Sequence, residues 1–312
     1  DDVQGIADQM DLPWPVYAMD SGGMKGSFEA GYSAAALRIE KEMKTKEKIP
    51  ASVNVLGLST VHMKGREDAE EIRRLLSLCG IRVISMPGGG SNWEDIMDAP
   101  SGSLNIVVRD ELGLSLAKQM ERDFGTPYIS CGLPYGTDGT VAWLSEIIEK
   151  LGAGELTRAS QEASKLKEFL LRKGNNLESL WGPLWFDAVL ISAPPSEALG
   201  IAETIRSEWI DTARLVIHAP CATEKTTPAA DAIRIVMKNE KEITQDYEDW
   251  QGGLILASSH ETHLLTRMGK PFTGFHIALP SHDEVHFSDL PQCGLRGAGY
   301  LYEQLWNAKL RK

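Results

Sequence analysis

The chain has 312 residues, with 44 acidic against 32 basic side chains, a net charge of −12 at pH 7, and 42% hydrophobic and 24% charged residues. That length supports two substantial cores, and the acidity argues against nucleic-acid binding, which needs a basic face to displace counterions. No apolar run approaches the ~20 residues that span a bilayer. The four cysteines, Cys79, Cys131, Cys221 and Cys293, are too widely spaced for a zinc ribbon, a ferredoxin-type cluster or a secreted disulfide framework.

In chain order, residues 1–44 read as a helix tail, a strand at Val16–Met19 and a helix from about Ser27 to Lys44. Between that strand and helix lies DSGGMKGS (Asp20–Ser27). Its glycines let backbone amides approach an anion at a helix start, although it fits neither G-x-G-x-x-G nor the P-loop pattern. The charged run KEMKTKEK (41–48) leads into strand Val53–Leu58, helix Glu67–Cys79 ending at Gly80, and strand Ile81–Ser85. A turn-rich connection follows, with a short helical piece at Trp93–Met97. Leu104–Val108 is a buried-type strand, and Leu112, Leu116, Ala117 and Met120 mark a helix that Gly125 stops before strand Tyr128–Ser130. Strand–helix–strand at this spacing is the parallel crossover unit, and repeated units give a doubly wound α/β sheet with ligand sites beyond the strand carboxyl ends.

Thr140–Leu151 and Leu156–Arg172 read as bridging helices, and Lys173–Ser179 as a polar linker. The second sheet begins with strand Asp187–Ser192, helix Glu197–Trp209 and strand Leu215–His218. A helix around Ala229–Val236 and the polar stretch KNEKEITQDYEDW then lead to strand Leu254–Ala257, helix Glu261–Met268, strand Thr273–Ile277 and a closing helix, Leu295–Leu310. The expected organisation is a remnant domain (1–48), a Rossmann-like domain (49–138), bridging helices (139–180) and a second Rossmann-like domain (181–312). A cleft between the two sheet domains is the expected ligand position.

This order of pieces resembles the nitrogenase component 1 oxidoreductases. The likeness rests on VNVLG, EIRRLLSLCGIRV, the Ala99–Pro100 to LNIVV passage and RDFGTPYI…GLPYGTDGTVAWL. It continues through GGLILASSHETHLLTRMGKPFTGFHIALPSHDEV and CGLRGAGYLYEQLWN, and upstream through WPVYAMDSGGMKGSFEAGYSAAA. The opening DDVQGIADQM resembles the segment that follows the last cluster cysteine in that family, so the chain is expected to lack the cysteine-bearing region before it.

The resemblance implies a tandem parallel-sheet fold and a cytoplasmic subunit of a two-component oxidoreductase or of its metallocofactor-assembly scaffold. Its implied partners are a second component 1 subunit (heterodimer, heterotetramer or homodimer) and an ATP-dependent iron–sulfur reductase. An iron–sulfur cluster is implied for the full complex, with ligands outside this chain. Two departures point to a beta or scaffold type rather than the catalytic alpha type. Tyr32 follows Gly31 where the catalytic subunit has a histidine, and Arg109 follows LNIVV where that subunit has the cysteine anchoring its cofactor. Lys25, Gly26, Tyr32, Ser59, Arg109 and Cys131 are the residues expected to line the cleft. For Arg109, pairing with a carboxylate on a ligand or neighbouring subunit competes with a surface position in which Asp110 starts the helix. For Cys131, a ligand-facing role competes with packing, and Cys79 reads as core.

Five of the seven histidines fall between 260 and 286. His260 and His263 share a helix face and His282 and His286 lie in a loop, but no H-E-x-x-H motif accompanies them, and no metal is assigned. Ser59, Ser192 and Ser258 end predicted strands without G-x-S-x-G, which argues against a hydrolase. The alternative from another class is a two-lobed module that binds a small ligand or metal chelate without redox chemistry.

Overall fold

Two parallel sheets, each wrapped by helices, account for the chain. The computed structural model describes residues 3–10, 12, 16–19, 26–219, 233–237 and 240–311, with the backbone alone at 233–237 and 240. Helices α1 (Val3–Asp8) and α2 (Phe28–Glu40) precede the first sheet. That sheet is built from β1 (Ser52–Leu56), α3 (Gly65–Leu78), β2 (Arg82–Ser85), α4 (Trp93–Met97), β3 (Leu104–Val107), α5 (Asp110–Phe124) and β4 (Tyr128–Ser130). Two long helices, α6 (Thr137–Leu151) and α7 (Thr157–Trp181), follow. The second sheet comprises β5 (Trp185–Ser192), α8 (Pro195–Thr204), β6 (Asp211–Ala219), β7 (Ile233–Met237), α9 (Glu240–Glu248), β8 (Leu254–Ala257), α10 (Ser259–Arg267) and β9 (Thr273–His276). Helix α11 (Gly294–Leu310) closes the fold.

Strand order is β2-β1-β3-β4 in the first sheet and β7-β6-β5-β8-β9 in the second, with every pairing parallel. All five residues of β1 are buried, as a parallel strand covered by helices on both faces requires. Its Asn54 donates through Nδ2 to Ala99 O and to Asn105 Oδ1 on the neighbouring strand, each at 2.8 Å, while its own Oδ1 is buried without a hydrogen-bond partner. Gly125, in the left-handed conformation at φ +63°, caps α5 as its sequence position requires. One continuous hydrophobic cluster runs from Val53 and Ile106 of the first sheet to Val189 and Leu254 of the second, and takes in Leu301 and Leu305 of α11.

The structure corrects four expectations. Val16–Met19 forms no strand. Lys173–Ser179 is helix rather than linker, because α7 continues to Trp181. Ile233–Met237 is a strand paired with β6, whereas 229–232, the rest of the helix expected there, lie outside the described residues. The polar stretch after it holds helix α9. Among the described residues no helix is long and apolar enough to cross a membrane.

Candidate functional site

Strand order reverses between β1 and β3 in the first sheet and between β5 and β8 in the second. The crevice beyond such a switch point is where a doubly wound sheet takes a ligand. The two crevices differ in what fills them.

At the first, Gly57 leaves β1 with φ +91°, and a Cβ there would lie 2.9 Å from Arg109 N. Glycine therefore lets the loop after β1 lie against the residue that starts α5. Arg109 is fully buried. Its Nη1 donates to Gly57 O at 3.2 Å, its Nε donates to Glu197 Oε1 at 2.8 Å, and its Nη2 donates to that same oxygen. Glu197 comes from the second sheet, in the first turn of α8 behind Pro194 and Pro195, where the helix dipole favours an anion. His62 Nδ1 lies 3.4 Å from Glu197 Oε1. Burial pushes the Glu197 carboxyl up, but Arg109 and His62 outweigh it and hold the group down at about 2.

A second carboxylate stands beside this pair. Asp68, in the first turn of α3, accepts from the backbone N–H groups of Gln292 (2.7 Å) and Cys293 (3.0 Å). Burial raises it to about 6 against the pull of Arg109 and those two donors. Further along the seam, Asp110 N donates to Ser196 Oγ at 3.2 Å, and Ser196 Oγ donates to Glu111 at 2.5 Å. Glu208 accepts from the N–H groups of Thr137 (2.6 Å) and Gly139 (3.0 Å), capping α6 from the other sheet.

The second crevice is open. A pocket of about 340 Å³ at the carboxyl ends of β5, β6 and β8 is lined by Ser192, His218, Ser258, Glu261 and Leu279, among others. His218 Nε2 lies 2.9 Å from Asp246 Oδ2, and its Nδ1 lies 3.4 Å from the Tyr247 hydroxyl. Ser192 Oγ donates to Glu261 Oε1 at 3.1 Å. Glu261 also accepts from Ser258 N at 3.1 Å within the capping box of α10.

The residues expected to line the cleft divide three ways. Lys25 lies outside the described residues, as do Asp20–Met24 of its loop and Cys221. Gly26 is exposed, and a Cβ there would meet Ala30 at 3.4 Å. Tyr32, Ser59 and Arg109 gather around the turn after β1: the Tyr32 hydroxyl lies 2.8 Å from Leu58 O and 3.1 Å from Pro87 O, and buried Ser59 accepts from Val61 N at 3.3 Å. Burial pushes the Tyr32 hydroxyl up to about 12. Cys131 follows β4, half-buried against the main hydrophobic cluster, while Cys79 is core. The surface reading of Arg109 is overturned, because its carboxylate partner comes from within the chain and takes it out of water. Sequence reasoning missed Glu197, His62 and Asp68. Glu197 had one signal, an acidic residue just behind a Pro-Pro helix start.

His260, His263 and His282 are exposed, whereas His286 is half-buried and converges on His276 and Glu284. Those three are the sole group of three or more His, Cys, Asp or Glu ligand atoms that converges among the described residues, and it contains no cysteine. Cys79 ends α3, Cys131 follows β4 and Cys293 precedes α11, with Cys293 Sγ 3.9 Å from Asp68 O. Burial pushes the thiols of Cys79 and Cys293 up, away from the thiolate form an iron–sulfur cluster needs. The described residues therefore do not fit such a cluster.

Comparison with known proteins agrees with this architecture. The B-type subunit of light-independent protochlorophyllide reductase from Chlorobium phaeobacteroides (strain BS1) is 25% identical over 307 residues, covering 90% of this chain and 55% of that protein. The nitrogenase iron-molybdenum cofactor biosynthesis protein NifE of Clostridium pasteurianum is 32% identical over 167 residues, covering 53% of this chain and 34% of that protein. The solved structure of nitrogenase Cp1 at pH 5 superposes with a TM-score of 0.74 at 21% identity, covering all of this chain and 68% of that one. The chain spans about half the length of the protochlorophyllide reductase relatives, between 49% and 60%. The profile described as nitrogenase component 1 type oxidoreductase matches residues 1–310, and the chain belongs to that family.

Proposed function

We propose that this chain is a subunit of a nitrogenase-like two-component oxidoreductase or of its metallocofactor-assembly scaffold, of the beta or scaffold type rather than the catalytic alpha type. The buried Arg109–Glu197 pair carries the reading. The resemblance puts a cofactor-anchoring cysteine near this strand end in the catalytic subunit. A guanidinium cannot ligate a soft cluster, and here it is paired with a carboxylate of its own chain. On this reading Arg109, Glu197 and His62 set the second sheet against the first, and residues 49–138 and 181–312 serve as the two sheet domains. An iron–sulfur cluster of the complex takes its ligands outside the described residues. Electrons come from an ATP-dependent iron–sulfur reductase, and a second component 1 subunit completes the complex. Exposed Leu180, Trp181 and Trp185 supply an apolar patch that suits cover by such a partner.

Coexpression with a second family member encoded beside it tests this reading. The expected result is a stable stoichiometric complex on size exclusion, with no reductase-driven activity from the chain alone. A chain that stays apart from every such candidate overturns it. So does a chain that assembles a stoichiometric cluster by itself on reconstitution with iron and sulfide, read by visible and EPR spectroscopy.

A further inference from the structure

The loop joining β9 to α11 carries a cluster that the proposed function leaves unused. His276 ends β9 and is only 2% exposed. Its Nδ1 lies 2.8 Å from Ser281 Oγ and 3.8 Å from Glu284 Oε2. His286 Nε2 lies 3.1 Å and 3.7 Å from the same two oxygens. The ligand atoms of His276, Glu284 and His286 all fall within 4.8 Å of one another. A tetrahedral zinc ion with bonds of ~2.0–2.1 Å sets its ligand atoms roughly 3.4 Å apart, so both carboxylate edges already lie within about half an ångström of that spacing.

The Ser281 hydroxyl donates to Glu284 O at 3.4 Å and lies within hydrogen-bonding reach of His276 Nδ1 and His286 Nε2, so the three residues converge on one oxygen. The opposite nitrogen of His276 is already oriented: Nε2 has Thr262 Oγ1 at 3.3 Å and Asp283 Oδ1 at 3.4 Å. A carboxylate behind the ring is the arrangement that fixes the tautomer of a metal-ligating imidazole and leaves its other nitrogen to the metal.

We propose that His276, Glu284 and His286 bind one zinc-class divalent cation, with the Ser281 hydroxyl or a water in the fourth position. The ion ties Glu284 and His286, which flank exposed Val285 within the loop, to the end of β9. The inference stands on different residues from the proposed function and does not depend on it.

The test uses the whole chain, stripped with a chelator and titrated separately with Zn²⁺ and with Co²⁺ as a spectroscopic probe. One equivalent of Zn²⁺ binds, and Co²⁺ develops the visible absorption of a four-coordinate site. His286→Ala and Glu284→Gln, both at partly exposed positions, each weaken binding by at least ~10-fold with the far-UV circular dichroism unchanged. His260→Ala, exposed and outside the cluster, leaves binding as it was. Two results overturn the proposal: no saturable binding in the stripped chain, or binding that survives His286→Ala and Glu284→Gln undiminished. A loss equally large in His260→Ala assigns the ion to surface histidines and overturns it too.

Discussion

Arg109 and Glu197 show how one side chain changes meaning with its partner. Read alone, an arginine after a strand end is a surface charge. With a carboxylate 88 positions later folded onto it, it becomes a fully buried ion. Periodicity identifies elements, but pairing across such a separation has no local signature, so the strand ending at Val107 was legible and the seam was not. Removing one member of a buried pair strands the other, at a cost of about 3–5 kcal/mol. Glu197→Gln is therefore expected to destabilise by that order in urea unfolding, while Arg109→Met with Glu197→Leu recovers most of it. A double variant as damaged as the single one sinks the pairing argument. Asp68 gives a pH-dependent companion. The Glu197 contribution is full above its unfolded value of about 4.3 and is lost as pH falls towards about 2. Asp68 runs the other way: its folded value of about 6 exceeds the unfolded one, so its contribution is present below about pH 4 and lost as pH rises through 6. Asp68→Asn keeps an oxygen for the N–H groups of Gln292 and Cys293 and removes the buried charge. It is expected to stabilise by about 2–3 kcal/mol at pH 7 and hardly at all at pH 4, compared by denaturant unfolding at both values. A gain of equal size at both would rule out titration as its cause.

At the level of elements, the sequence told most where an apolar stripe met a glycine stop, and least where tertiary contact overrode composition. Helix α5 ends at Gly125 as read. Helix α7 runs through Gly174, Asn175 and Asn176, which read as a linker. A methyl on Gly174 would collide with the Tyr302 hydroxyl, so that glycine makes room for α11 rather than breaking the helix. Strand β7 shows the converse: Ile233–Met237 is a short apolar run broken at Arg234, of a kind that periodicity cannot assign to helix or strand, and pairing with β6 decides it. Packing likewise separates two helix glycines that composition cannot. A Cβ at Gly113 would lie 2.8 Å from the backbone of Leu56, because α5 packs directly on β1 there. At Gly139 the nearest atom would be Glu208 Oε1 at 3.7 Å, an ordinary contact. Gly113→Ala is expected to destabilise by about 1–3 kcal/mol and Gly139→Ala to stabilise by about 0.5–1 kcal/mol, as read from thermal melts. Equal shifts for the two would show that helix propensity, not the approach of α5 to β1, governs the site.

For the whole molecule, the domain boundaries suggested by composition imply two units that could open separately, yet the packing argues for one. The same hydrophobic cluster contains β1 and β3 residues, β5 and β8 residues and the buried face of α11. The start of α11 is tied to α3 twice. Asp68 accepts from Gln292 and Cys293, and Glu71 accepts from Arg296 N at 3.2 Å while Arg74 holds it through two further bonds at 2.7 and 2.8 Å. Opening the second sheet alone would expose apolar surface on both sheets and break the Arg109–Glu197 pair. Losing that burial and that pair together pushes a partial opening towards the cost of unfolding everything. Native-state hydrogen exchange with increasing denaturant is expected to bring the slow amides of β1, β3, β5 and β8 onto one common isotherm. Chains of this length commonly unfold through intermediates, so that outcome is not a default. If the β5 and β8 amides open at a free energy more than about 2 kcal/mol below those of β1 and β3, the seam and the closing helix do not couple the sheets. The buried pair at Arg109 would then be an ornament of the first crevice rather than the element that joins the two lobes.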